Sequence, residues 1–427
     1  VYVRFVGEPL PDDTPRIRTV TDQNTVELVS PEAAAETGLH PGDSVTVRRS
    51  RTGFEVVPED LRPRKIYVEL TTDCNLDCAM CIRHAWQDTG GRMRPETFER
   101  LLAPLEPAAA GLTLSFGGYG EPMTHPRFFE FVKRAKRDGF TLEVFTNGLL
   151  LSAAARAQLL DLDVDRLVVS VDGIAPDSSP HLHAESFTKV KQNLIALKQA
   201  KLVRARTRPE VVIEFVASRR NIDQLPRLRS LSMHLGFTGI VVTNLIPHTR
   251  ALADEILYNN LATASRRRTR SLLVPAVDLP LLDADPDVLG ALARLQRAGT
   301  SFNINGRELA GNGPCCRFVT EGRLAVGWDG SISPCLPLLH THEYFFRGRQ
   351  RLIRRYRLGR VQDRPLPVIW DSPEYRGFRK RVREFEFAPC IDCGSCELRD
   401  SNEHDCMGNE FPRCGECLWA AGLIQCP

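Results

Sequence analysis

From residue 64 to about residue 247 the chain repeats one unit six times: a short apolar strand, a loop and an amphipathic stretch. The strands read as Lys65–Leu70, Leu112–Phe116, Thr141–Phe145, Arg166–Ser170, Val211–Phe215 and Gly239–Thr243. Between them lie runs of helical period such as Pro95–Leu105, Pro126–Asp138, Ser186–Ala200 and Ile222–Leu235. Strands that alternate with helices run parallel, because each helix returns the chain to the end where the previous strand began. Six such units predict an α/β fold, a partial TIM-like (β/α)6 barrel. In barrels of this kind the chemistry sits where the strands end, so the informative residues are expected just after each strand.

After the first strand comes Asp73-Cys-Asn-Leu-Asp-Cys-Ala-Met-Cys-Ile-Arg-His84, which places Cys74, Cys78 and Cys81 at C-x3-C-x2-C. Three thiolates on one short loop reach a common point. A structural zinc site uses four ligands, and ferredoxin runs supply four cysteines at other spacings. Here no further Cys follows until position 315, and ten of the chain's 13 cysteines lie from there on. That clustering reads as metal ligation before disulfide bonding. An iron–sulfur cluster held by three cysteines leaves one iron open.

The loop resembles that of the radical S-adenosylmethionine (SAM) enzymes, with Met80 where an aromatic residue is common. The resemblance implies a 4Fe-4S cluster on Cys74, Cys78 and Cys81 whose open iron binds SAM. It further implies that an electron cleaves SAM to a 5′-deoxyadenosyl radical, which takes a hydrogen atom from a substrate. After the second strand, Gly117-Gly-Tyr-Gly-Glu-Pro122 resembles the family's Gly-Gly-Glu-Pro segment. Gly118, Gly120 and Glu121 are then expected around the SAM ammonium, with Tyr119 an insertion. Thr146-Asn147-Gly148 and Ser170-Val-Asp172-Gly173 resemble the turns that border the cofactor and its ribose. Hydroxyls and carboxylates suit a diol, whose oxygens both donate and accept. Asn147 and Asp172 also read as plain turn formers beside glycine. His248, after the sixth strand, reads equally as a substrate contact or a loop entrance.

The C-terminal cysteines are 315, 316, 335, 390, 393, 396, 406, 414, 417 and 426. Gly330–Cys335, Leu366–Trp370, Glu374–Arg379 and Cys390-x2-Cys393 resemble the SPASM extension of radical SAM peptide maturases. That implies two auxiliary 4Fe-4S clusters, Cys316, Cys335 and Cys417 with one, and Cys390, Cys393, Cys414 and Cys426 with the other. Cys396 and Cys406 are extra, and Cys315 is an alternative to its neighbour. A zinc ribbon from Cys390-x2-Cys393 and Cys414-x2-Cys417 is the competing reading of these spacings. The tail Asp405–Pro427, with Thr243–Thr249 and Cys81–Trp86, resembles the tungsten-containing aldehyde ferredoxin oxidoreductase cofactor-modifying protein family. What this implies is a maturase acting on a peptide or cofactor of a tungsten oxidoreductase, with a ferredoxin or flavodoxin as reductant. A small-molecule radical SAM enzyme of pterin synthesis shares the barrel and stays open.

Residues 1–60 read as a small β-rich module, in which Glu36–Val47 resembles the swapped-hairpin barrels of AbrB-type regulators, a route to dimers. With zinc sites, that module would make a non-catalytic DNA-binding protein. A net charge of +3 over 427 residues gives no global pull towards nucleic acid. The absence of a signal peptide and of a long apolar run places the chain in the cytoplasm, away from membranes. The division expected is 1–60, a barrel over 64–250, a helical connection over 251–300 containing Arg266–Arg270, and a Cys-rich domain over 301–427. Phe345–Arg360 holds seven arginines in sixteen residues. Such runs are usually solvated faces, but planar guanidinium forks also suit an acidic partner surface or a phosphate.

Overall fold

The structure, a computed structural model, describes residues 62–105, 111–174, 184–258, 316–388, 390–391 and 396–426. Backbone alone is described at 184–185, 223, 225–226 and 229, and for the strands outside those ranges. In the N-terminal module these strands are β1 (Tyr2–Phe5), β2 (Ile17–Val20), β3 (Thr25–Leu28), β4 (Ser44–Ser50) and β5 (Gly53–Asp60). They form one sheet in the order β2-β3-β1-β4-β5. The short helix expected after Ser30 lies outside the described residues.

The six expected barrel strands are β6 (Lys65–Val68), β7 (Thr113–Phe116), β8 (Thr141–Thr146), β9 (Arg166–Ser170), β10 (Glu210–Ala217) and β11 (Gly239–Asn244). Each pairs in parallel with the next. Val68 stands opposite Phe116 and Phe116 opposite Val144, so the loops that follow emerge at one end. Helices Pro95–Leu102, Phe128–Arg137, Ala153–Asp161 and Ala184–Val203 return the chain. Leu114, Val144, Leu167 and Ile213 are fully buried with Phe98, Val132 and Leu159 in the main core. Near-continuous apolar strands of this kind belong to parallel sheets covered on both faces.

Beyond the barrel come β12 (Val277–Leu279), β13 (Phe302–Ile304) and β14 (Arg307–Glu308) in a separate three-stranded sheet. Of the expected helical connection the structure describes helix Arg250–Ala253 and β12, and Arg266–Arg270 lies outside the described residues. The C-terminal part then supplies β15 (Arg323–Val326), β16 (Ser331–Ser333), the hairpin β17 (His342–Phe346) and β18 (Arg349–Ile353), and β19 (Gly359–Arg360). β15 pairs in parallel with β6, Leu324 against Ile66 and Val326 against Val68. One nine-stranded sheet, β11-β10-β9-β8-β7-β6-β15-β16-β19, therefore crosses from the barrel into the Cys-rich part. Among the described residues no helix is long and apolar enough to cross a membrane.

Because β15 belongs to the barrel sheet, Leu324→Ala, at a fully buried position, is expected to cost about 2–5 kcal/mol. The whole sheet should melt earlier in one transition. A melt in which the barrel transition stays put would mean that β15 is dispensable to it.

Candidate active site

The three-thiol loop hangs from the end of β6 on backbone bonds. Glu69 N donates to Val326 O at 2.9 Å, Thr72 N to Gly91 O at 3.0 Å, and Met93 N to Leu70 O at 2.8 Å. Within the loop, Leu76 N donates to Cys74 Sγ at 3.4 Å and Arg83 Nε to Cys81 Sγ at 3.3 Å. The same guanidinium donates to Thr72 O at 2.8 Å and Leu76 O at 3.2 Å, so one cation staples the loop at three points. Burial pushes the Cys78 thiol up to about 12, and the charges of Asp172 and the neighbouring thiols push it the same way. Burial raises the Cys74 thiol too, and soft sulfur donors that resist ionising alone are suited to a cationic group that replaces their protons.

Cys74, Cys78 and Cys81 line a cavity of about 330 Å3 at the C-terminal ends of the strands, and Gly118, Gly120, Glu121, Thr146, Asn147, Ser170 and Asp172 line it too. Gly120 packs where a Cβ would stand 2.2 Å from Thr71 O. Its missing side chain therefore lets this loop and the thiol loop touch. Glu121 N donates to Asp73 O at 2.8 Å across that contact. The Glu121 carboxylate accepts from Asn147 N at 2.7 Å, Thr146 Oγ1 at 3.0 Å and Met123 N at 3.1 Å. Burial raises its pKa to about 7 even so. Asn147 Oδ1 accepts from Leu149 N at 3.0 Å, a turn contact, while Nδ2 donates to Asn75 Oδ1 at 2.9 Å.

Three features of this cavity were absent from the motif reading: Glu214, Arg83 and the tail. Glu214, on β10, accepts from Ser170 Oγ at 3.2 Å and stands beside Asp172. Burial and the Glu214 charge raise Asp172 to about 7. The signal for Glu214 was a lone acid in the apolar strand Val211-Val-Ile-Glu-Phe215, and for Arg83 a lone cation beside the third thiol. The chain's tail is the third addition. Asn244 Nδ2 donates to Leu423 O at 2.7 Å and Gln425 N to Thr243 Oγ1 at 3.2 Å. Trp419, Ile424, Gln425 and Cys426 thereby become cavity wall. His248 stacks on His84, ring centroids 5.9 Å apart.

The C-terminal thiols group differently from expectation. Cys316, Cys335, Cys414 and Cys417 surround one apolar cavity of about 40 Å3, walled by Phe318, Val319 and Leu338. Burial drives Cys335 and Cys414 well above the ordinary thiol range, with their neighbouring thiols adding to the shift. Cys414 stands with Cys316, Cys335 and Cys417 around that cavity, while its neighbour Gly415 packs against the backbone before Cys390, where a Cβ would meet Ala388 O at 1.9 Å. Cys426, expected beside Cys390, instead accepts from Trp419 Nε1 at 3.2 Å in the barrel cavity, carried there by the tail. Cys390 has Cys406 as its thiol neighbour, and Cys396 caps the turn Glu397–Asp400. Cys315 and Cys393 lie outside the described residues. Among the described residues no three His, Cys, Asp or Glu side chains close on a single ion.

Arg351 corrects the reading of the arginine run as a wholly exposed cluster. Its side chain is fully buried, its guanidinium 5.2 Å from the Phe346 ring centroid and 6.0 Å from that of Tyr344. The buried Glu416 carboxylate, itself paired with Arg413, and the Tyr344 phenol act on its charge, as a buried cation requires. The soft sulfur donors of Cys316, Cys335, Cys414 and Cys417 around one cavity fit an iron–sulfur group. Arg349 and Arg354 meanwhile pair with Asp400 and Glu403.

Residues 68–215 match the radical SAM superfamily, and residues 315–397 match the iron–sulfur cluster-binding SPASM domain. The chain is 30% identical over 370 residues to the tungsten-containing aldehyde ferredoxin oxidoreductase cofactor-modifying protein of Pyrococcus furiosus, covering 85% of this chain and 96% of that protein. It is 26% identical over 359 residues to the AdoMet-dependent heme synthase of Methanosarcina barkeri, covering 79% and 89%. The solved structure of anSMEcpe with bound AdoMet has the same fold at a TM-score of 0.50 and 17% identity, covering 84% of this chain and 93% of that one.

Gly120→Ala is expected to part the two loops and lower iron retention at the three-thiol site, while the C-terminal thiols still load. Iron and sulfide analysis beside an untouched circular-dichroism spectrum checks this. Full iron content would show that the loops tolerate the added methyl.

Proposed function

The chain belongs to the radical SAM/SPASM family of the tungsten-containing aldehyde ferredoxin oxidoreductase cofactor-modifying protein, and from that premise we propose that it cleaves SAM reductively to modify a peptide or cofactor of a partner tungsten oxidoreductase. It is an enzyme of the maturase type that uses SAM and iron–sulfur clusters. In this reading Cys74, Cys78 and Cys81 hold the SAM-binding cluster. Cys316, Cys335, Cys414 and Cys417 hold one auxiliary cluster, and Cys390, Cys393, Cys396 and Cys406 a second. The cluster held by Cys74, Cys78 and Cys81 would supply one electron to SAM, whose C–S bond would break with loss of methionine, and the carbon so freed would take a hydrogen atom from the substrate.

The observation that carries the reading is the meeting of Glu121 and the three thiols in one cavity. Glu121 is preorganised by three donors and kept from water, so its carboxylate is poised to accept a bond from the SAM ammonium. Asn147, Ser170 and Asp172 offer polar atoms to the ribose, and Glu214 sits within reach of the same group. Tyr67, Phe145, Leu245 and Ile424 supply apolar wall, which keeps water from a reactive carbon. Arg83 holds the thiol loop closed and offsets part of its negative charge. An external one-electron donor such as a ferredoxin or flavodoxin completes the reaction.

Burial raises the Glu121 pKa to about 7, and a bound ammonium requires it ionised. Below that pH binding has to expel a proton, so SAM affinity is expected to rise as pH rises through about 7 and then level off. Glu121→Gln should flatten the profile. Glu121→Ala should weaken binding roughly ten- to a hundredfold, the cost of losing a charge-assisted bond of about 1.5–3 kcal/mol. Equal affinities for SAM in wild type and Glu121→Ala would remove Glu121 from the site.

Iron analysis after anaerobic reconstitution tests the cofactor assignment, with about twelve irons and matching sulfide expected for three four-iron clusters. Zinc without labile sulfide would overturn it. Mass spectrometry of the partner oxidoreductase and its cofactor, prepared with and without this protein, tests the substrate. An identical partner in both preparations would rule that substrate out.

A further inference from the structure

A second cavity, of about 810 Å3, opens where the turn between β15 and β16 meets helix Pro95–Leu102. It is separate in character from the first, because its walls are cationic. Arg92, Arg94 and Arg100 line it from the barrel side, and Arg355, Arg357 and Arg360 from the segment between β18 and β19. Only two acids, Glu96 and Asp329, share that lining. Asp329 is already engaged by Arg357 at 3.0 Å and Arg360 at 3.8 Å. Arg355 and Arg92 reach outside the lining to Asp88 at 2.7 Å and Asp73 at 2.5 Å. Arg100 donates to a backbone carbonyl, Gln362 O, at 2.9 Å. Arg94 has no ion-pair partner among the described residues. Positive charge therefore exceeds what the surrounding carboxylates neutralise.

Two further features of the lining point to a ligand. Trp328 lines the cavity half-buried, its ring packed against Gly91 so closely that a Cβ there would lie 2.5 Å from it. His340 is 5% exposed, and its Nε2 meets the Glu69 carboxylate at 2.9 Å. Its other ring nitrogen, Nδ1, is buried, has no hydrogen-bond partner and lies 3.8 Å from the Asp88 carboxylate. An unspent buried polar atom is costly unless something fills it. Guanidinium forks match phosphate oxygens in geometry as well as charge, an indole suits a planar ring, and the volume is that of an ordinary small-molecule site.

We propose that this cavity binds a small phosphorylated molecule that carries a planar polar ring, such as a nucleotide or a phosphorylated heterocycle. The arginines take the phosphate, Trp328 takes a face or edge of the ring, and His340 Nδ1 hydrogen-bonds its polar edge. The site touches the SAM cavity through one wall. Tyr119 lines the first cavity and His340 the second, with ring centroids 5.8 Å apart and Trp86 stacked on His340 at 3.9 Å. The proposal stands on the second cavity alone and does not need the SAM assignment.

The test is calorimetric titration of the cluster-loaded full chain with guanosine monophosphate, inorganic pyrophosphate, guanosine and a polyglutamate peptide. Guanosine monophosphate is expected to bind saturably at one site, more weakly as salt rises, and at least about tenfold more tightly than guanosine. The double change Arg94→Gln and Arg360→Gln should weaken it at least about tenfold while leaving iron content and SAM affinity unchanged. Arg94 is exposed and unpaired, so Arg94→Gln alone serves as a fold-neutral control with a smaller loss. Saturable binding of neither phosphate probe would overturn the proposal, as would binding that the double change leaves intact. Uptake of polyglutamate without guanosine monophosphate would also overturn it, making the surface a docking face for an acidic protein.

Discussion

A sheet that stops at six strands leaves two edges with unpaired backbone groups, and the rest of this molecule is arranged around closing them. Exposed edges invite pairing with other chains. β15 closes the first by adding along β6 in four matched pairs. At the second the tail binds the Val242 carbonyl and the Thr243 and Asn244 side chains of β11. The Cys-rich part is therefore seated on the barrel at both edges. Its position relative to the reaction cavity follows from strand register.

A second theme is charge held in reserve. The carboxyls of Glu121, Asp172 and Glu416 are all raised to about 7 by burial, and the buried thiols are raised as well. Arg351 is the converse, a cation sealed among aromatic rings. Each group is unfavourable alone and becomes favourable beside a partner of opposite charge. The pattern is that of a protein whose polar interior is complete only with its cofactors.

Much of the architecture was legible because parallel βα units have a rhythm that composition cannot hide. All six barrel strands fall where alternation and loop chemistry placed them, and the residues named after the first four strands line one cavity, while His248 after the sixth does not. What escaped was governed by tertiary contacts. β15 reads as an ordinary short strand, since nothing local says which edge it joins. Cys414 and Cys426 were placed with Cys390 by the family resemblance, whereas Cys414 lines a cavity with Cys316, Cys335 and Cys417 and the path of the tail carries Cys426 to the barrel. Arg351 looked exposed inside a run of arginines, yet on β18 it is turned inward with Ile353 while Gln350 stands exposed, and Arg349 and Arg354 meet carboxylates.

The tail has a consequence for the order in which the protein becomes competent. Cys74, Cys78 and Cys81 leave the ribosome long before Trp419, Ile424, Gln425 and Cys426, which finish the wall opposite them. Until that segment has emerged and docked on β11, the thiols face a chamber that lacks one wall. The enclosure of the site is thus a late event in the life of the chain, set by the docking of a segment far from the thiols in sequence.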